Sequence, residues 1–122
     1  IISGTLDKFP RLQVVLPHAG GSFPGVAGRL DHGITKKGFK LAHPFRDYVR
    51  RFYYDSIIYY PAALRFMIEL VGADRVMIGS DNSYERKELA LDWPNALVES
   101  LKLPAEQEEL ILSGNAVRLF GL

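Results

Sequence analysis

Three short apolar runs, separated by stretches with helical signals and each closing on an ionisable side chain, set the tightest limit on how this chain can fold. The runs are residues 11–17 before His18, 51–54 before Asp55, and 75–80 before Asp81. Strands that alternate with helices call for a parallel sheet joined by right-handed crossovers. Strands apolar along their whole length are buried on both faces and need helices to cover them. In such folds the carboxyl ends of the strands form the rim that carries catalytic groups. An imidazole and a carboxylate on that rim can ligate a metal or divide base and acid work.

The punctuation between the runs completes the order. Pro10 closes an opening segment that reads as the end of a helix already under way, so a fragment of a longer chain is expected. The first strand is residues 11–17, and Gly20-Gly21 allow a tight turn straight after His18. A helix is expected over 22–33 with Val26 and Leu30 on one face, then a loop over 34–44 and a short helix over 45–50. The second strand, 51–56, is rich in Phe and Tyr. Pro61 suits the first turn of a helix that carries Leu64, Met67, Leu70 and Val71 at helical spacing, and Gly72 stops it. The third strand is 75–80. Helices over 92–102 and 104–112 follow, then a break at Ser113-Gly114-Asn115 and a last helical turn through Leu119. The result is βαβαβα, too little to close a barrel but the size of the last three of eight βα units.

At 122 residues the chain makes at most one modest domain, 1–122. A net charge of +1 argues against a generic nucleic-acid binder, though Lys36, Lys37, Lys40, Arg46, Arg50 and Arg51 crowd one stretch against Asp47 alone. That stretch reads as a solvated face or as a field that draws in an anionic substrate. There are no cysteines, which excludes disulfides and thiolate zinc sites and is compatible with the reducing cytoplasm, the compartment expected. No apolar run is long enough to span a bilayer, so no membrane partner is expected.

Each strand-end residue has a structural alternative. Asp81 can cap a turn with Asn82 and Ser83. Asp55, with Ser56 behind it, is read as bonding local backbone, and a lone strand-end histidine is as often structural as catalytic. Position and local sequence together single out His18 and Asp81.

Those local sequences carry a resemblance. Pro17-His18-Ala19-Gly20-Gly21-Ser22-Phe23-Pro24 and Gly28-Arg29-Leu30-Asp31-His32-Gly33 resemble the sixth-strand region of the amidohydrolase-2 family, within it the 2-amino-3-carboxymuconate-6-semialdehyde decarboxylase group. Phe52-Tyr53-Tyr54-Asp55 is similar to the family's seventh strand and Arg75-Val76-Met77-Ile78-Gly79-Ser80-Asp81 to its eighth. Gly114-Asn115-Ala116-Val117-Arg118-Leu119-Phe120 resembles its C-terminal segment. The four motifs fall in order across the chain.

The resemblance implies the last three βα units of a metal-dependent-hydrolase-type (β/α)8 TIM barrel with one divalent metal, zinc being the expectation. It implies Asp81 as the eighth-strand metal ligand, able also to orient or deprotonate a metal-bound water. It implies His18 as an acid/base beside the metal. Arg29 falls where the decarboxylases place an arginine that grips substrate carboxylate across a dimer interface. Lys37 falls on a second such arginine, keeping the charge without the fork. The decarboxylases continue their eighth strand with Tyr-Pro, where this chain has Asn82-Ser83. The family's His-x-His pair and fifth-strand histidine have no counterpart among His18, His32 and His43; the last two are read as surface or capping residues. The 122 residues alone are therefore expected to be inactive.

The implied function is metal-dependent decarboxylation of an unsaturated or aromatic carboxylic acid within a larger chain. The partners expected are a small anionic carboxylate, the remaining barrel strands and a second subunit in a homodimer. A hydrolase or hydratase of the same superfamily is the second reading. A non-catalytic domain or half of a split barrel, acting by association, is the third.

Overall fold

The computed structural model describes residues 1–81 and 93–122. Three strands, β1 (Val15–Leu16), β2 (Tyr53–Asp55) and β3 (Val76–Met77), form one sheet in the order β1-β2-β3. Both pairings are parallel, with Val15 opposite Tyr53 and Tyr54 opposite Val76. All three carboxyl ends therefore leave the sheet along one edge.

Helices carry the crossovers. α1 (Thr5–Lys8) precedes β1; α2 (Phe23–Lys36) and α3 (Phe45–Val49) join β1 to β2; α4 (Pro61–Val71) joins β2 to β3. α5 (Trp93–Ser100), α6 (Ala105–Glu109) and α7 (Asn115–Phe120) follow. Pro61 occupies the first turn of α4, where its missing N–H costs nothing, and Gly72 ends the helix at φ 93°. The core gathers Leu64, Met67 and Val71 of α4, Tyr54 of β2, Val76 of β3, and Val98 and Ile111 from the C-terminal helices.

Several boundaries depart from the sequence reading. The three strands are shorter than expected: β1 starts four residues late, at Val15, β2 two residues late, at Tyr53, and β3 ends three residues early, at Met77. α1 does not continue an earlier helix; it starts at Thr5 after left-handed Gly4. α2 extends three residues beyond the expected end, to Lys36, and buries Pro24, Ala27 and Ile34. Val26 and Leu30 stay largely exposed, so the buried stripe of α2 is rotated from the one expected. The expected break at 113–115 is a π-helical turn, Leu110–Gly114, running directly into α7. The widened turn places Asn115 wholly inside the protein.

The two sides of the sheet differ. On the β3 side the Ile78 amide donates to the Ile111 carbonyl at 2.9 Å, so the C-terminal helices close that side. On the β1 side the described residues supply no further strand. There an apolar hollow of about 760 Å³ opens among Ile1, Leu16, Phe23, Leu30, Phe45 and Phe52.

Candidate active site

The three strand exits converge on Asp55. Its Oδ2 accepts the His18 amide at 2.9 Å, and its Oδ1 accepts the amides of Ala19 at 2.8 Å and Ile57 at 3.0 Å. The reading of Asp55 as a backbone-bonding residue holds, and its reach includes the neighbouring strand. Ser56, fully buried, does the same for the other neighbour: its Oγ accepts the Gly79 amide at 3.2 Å. A Cβ at Gly79 would lie 3.0 Å from the Asp55 Cβ and 3.1 Å from the Ile57 side chain, so β3 leaves the sheet pressed against β2.

The clamped backbone is unusual. His18 and Ala19 have φ of 53° and 52°, and Asp81 has φ of 52°. Non-glycine residues seldom adopt this left-handed region, and such strain persists only where surrounding contacts hold it. At His18 and Ala19 those contacts are the two Asp55 oxygens. Gly20, at φ 74°, continues the turn, and a Cβ there would meet the Tyr54 ring at 2.9 Å. Tyr54 is itself fixed, its hydroxyl donating to the Val49 carbonyl at 2.8 Å. Burial pushes that hydroxyl above its ordinary 10.0.

His18 and Asp81 thus follow the outer strands flanking β2 and leave the sheet on the same edge, His18 two residues beyond β1 and Asp81 four residues beyond β3. The His18 imidazole and the Asp81 carboxylate make no hydrogen bond or ion pair among the described residues, and His18 is exposed. Both side chains are available to a ligand. Asp81 offers hard oxygen donors suited to a divalent cation. Among the described residues no group of three or more His, Cys, Asp or Glu side chains could hold a metal, so these residues do not build a metal centre by themselves.

The remaining predicted residues lie elsewhere. Arg29 is exposed on α2, and Lys37 caps its end, about 20 Å along the helix from its start. Among the described residues neither makes a hydrogen bond or ion pair with His18 or Asp55. His32 is exposed, and so is His43, whose amide donates to the Tyr48 hydroxyl at 3.2 Å. That hydroxyl donates to the Asp7 carboxylate at 2.9 and 3.0 Å; burial and the carboxylate raise its pKa. The basic stretch is partly engaged. Arg51 donates to the carbonyls of Leu6 at 2.7 Å and Pro10 at 2.9 Å, and Arg50 lies 3.5 Å from Asp74. Asn82 and Ser83 lie outside the described residues.

Two supporting residues escaped the sequence reading. Ser56 looked like a strand end, and Asn115 like part of a break. Asn115 Nδ2 donates to the carbonyls of Ala73 and Val76, both at 2.7 Å, and its Oδ1 accepts from Arg118 at 2.9 Å. An asparagine and an arginine three residues apart beside a glycine were the available signal.

Comparisons with known proteins agree with this architecture. A family model described as Amidohydrolase matches residues 1–122. A 2-amino-3-carboxymuconate-6-semialdehyde decarboxylase of Dictyostelium discoideum is 35% identical over 100% of this chain and 34% of its own length. The crystal structure of 5-carboxyvanillate decarboxylase from Sphingomonas paucimobilis superposes with a TM-score of 0.84 at 31% identity, covering 99% of this chain and 37% of that one. A dihydroxybenzoic acid decarboxylase from Polaromonas sp. JS666, solved with bound manganese and the inhibitor 2-nitroresorcinol, superposes with a TM-score of 0.82 at 28% identity, covering 99% of this chain and 37% of that one. The chain spans about a third of the length of these relatives. Among the described residues no helix is long and apolar enough to cross a membrane.

Proposed function

The chain belongs to the amidohydrolase family, and from that premise we propose that it forms part of a metal-dependent decarboxylase acting on a small aromatic or unsaturated carboxylic acid. The observation that carries the reading is the shared sheet edge, where His18 and Asp81 follow parallel strands with left-handed backbone and with side chains that are unpaired among the described residues. In this reading the three βα units are the sixth to eighth of a (β/α)8 barrel. Further strands, in this polypeptide or a partner, cover the apolar hollow beside β1.

The division of labour follows from the side chains. Decarboxylation breaks the bond between a carbon and its carboxylate; carbon dioxide leaves, and the electron pair left on carbon takes a proton. His18, exposed and with its ring unpaired among the described residues, holds and delivers that proton. Asp81 contributes one carboxylate to the cation site, whose other ligands come from outside the described residues. A divalent cation held there would supply positive charge to stabilise substrate oxygens. Zinc is the ion expected from the resemblance and manganese the one bound in a structural relative; metal analysis separates them. Arg29 is exposed on α2 and Lys37 at its end, and this reading assigns both to carboxylate binding, Arg29 across a homodimer interface. The enzyme is placed in the cytoplasm, which cell fractionation tests.

The experiment is a pair of substitutions in the full-length polypeptide. His18→Ala should leave bound metal unchanged and cut carbon dioxide release. Asp81→Ala should remove metal and turnover together. Full turnover in His18→Ala, or full metal content in Asp81→Ala, contradicts the assigned roles. A product carrying added water with no carbon dioxide released points instead to the hydrolase or hydratase reading.

A further inference from the structure

We propose that Asp55 is a positioning residue for the reaction, acting through His18 while touching no substrate itself; the inference rests on the role given to His18 above. Both carboxylate oxygens are committed to backbone donors. Oδ2 holds His18, and Oδ1 holds Ala19 and Ile57. One carboxylate therefore ties the exit of β1 to the exit of β2 at the residue whose imidazole is to move a proton.

The clamp is needed because the backbone it holds is not one these residues adopt freely. His18 and Ala19 sit consecutively at φ 53° and 52°. A local turn helps, with the Gly20 amide donating to the Pro17 carbonyl at 3.0 Å and the Gly21 amide to the His18 carbonyl at 2.7 Å. Those bonds close the turn without fixing it against the sheet. Asp55 does that, and is held in its turn from the other side. Gly79 packs against its Cβ, and Ser56 accepts the Gly79 amide. Asp55 and Ser56 are thus a bracket between the strand that delivers His18 and the strand that delivers Asp81. A catalytic side chain placed loosely by even an ångström loses rate, which is the loss the bracket prevents.

An ionised carboxylate suits this task better than any other side chain of its size, since it accepts along every direction of both oxygens. In Asp55→Asn one oxygen becomes an NH2 group, which can only face a backbone N–H with another N–H. One side of the clamp is lost and becomes repulsive, whichever way the amide turns.

The test is a double-mutant cycle in the full-length, metal-loaded enzyme. Asp55→Asn should lower kcat by about 10- to 100-fold, the range expected for one lost charge-assisted bond. KM and bound metal should stay within about twofold of wild type, as expected if only placement of the proton donor is disturbed. In a His18→Ala background the same substitution should lower kcat by no more than about twofold, because the residue through which it acts is gone. An equal loss in both backgrounds overturns the inference while leaving the decarboxylase reading intact. A His18→Ala enzyme with full turnover overturns that reading and the inference with it. If Asp55→Asn does not fold, hydrogen exchange in the unaltered enzyme decides. The amides of His18 and Ala19 should exchange far more slowly than those of open loops; exchange at loop rates overturns the inference.

Discussion

Asn115 offers a direct test of how the C-terminal helices are fastened to the sheet. Its side chain is wholly buried and makes three bonds: two donated to the carbonyls of Ala73 and Val76 at 2.7 Å and one accepted from Arg118 at 2.9 Å. Asn115→Ala removes all three. Two neutral bonds at about 1 kcal/mol each and one from a charged donor at roughly 1.5 kcal/mol suggest a loss of about 3 kcal/mol, allowing for non-additivity. The Ala73 carbonyl keeps one partner, the Val76 amide that ends the preceding 3-10 turn, so the loss is not larger. In the full-length polypeptide, taken at a typical barrel length of about 250 residues, that corresponds to a fall in Tm of roughly 6 to 12 °C. Thermal unfolding followed by far-ultraviolet circular dichroism reads it. Asn115→Asp should cost at least as much as the alanine, because it turns an acceptor toward two carbonyls. Destabilisation under about 0.5 kcal/mol for the alanine, or a clearly milder aspartate, would refute the pinning role.

Two further perturbations probe the β1 exit and its support. Gly20→Ala places a methyl 2.9 Å from the Tyr54 ring at φ 74°; the left-handed cost of about 1 kcal/mol plus overpacking of about 1 kcal/mol predicts a loss of about 2 kcal/mol. A chemical denaturation midpoint equal to wild type would show that the turn is not packed as described. Burial raises the Tyr54 hydroxyl above its ordinary 10.0, so the folded state keeps this proton more tightly than the unfolded chain. That stabilisation is complete below pH 10 and is lost as pH rises above it. Denaturation midpoints between pH 8 and 12 should fall for wild type and fall less steeply for Tyr54→Phe; parallel curves would contradict the assignment.

Much of this was legible because short-range chemistry decided it. Proline at the start of α4 and glycine at its end admit few alternatives, and the apolar runs closing on His18 and Asp55 placed the first two strand exits within a residue, while β3 ends at Met77, three residues before its expected end. Less legible were features set by distant contacts. Val26 and Leu30 have the right spacing for a buried stripe, yet they stay exposed, while Ala27 and Ile34 turn inward on the same helix. Ser113-Gly114-Asn115 has the composition of a break. Its helical path becomes favourable because Asn115 finds two carbonyls about forty residues away in sequence. Two of the three bonds to Asp55 reach back to the exit of a neighbouring strand, and no local pattern encodes that pairing. Arg29 and Lys37 entered through resemblance, and their placement on α2 makes their role a matter of assembly.

The most direct test of the account is product analysis with the full-length enzyme. It would be loaded separately with zinc and with manganese, then given 2,6-dihydroxybenzoate, 5-carboxyvanillate and 2-amino-3-carboxymuconate 6-semialdehyde. The account predicts stoichiometric carbon dioxide and the decarboxylated product from at least one acid, with both lost in Asp81→Ala. Conversion that proceeds equally well in Asp81→Ala, or no carbon dioxide from any of these acids with either metal, would contradict it.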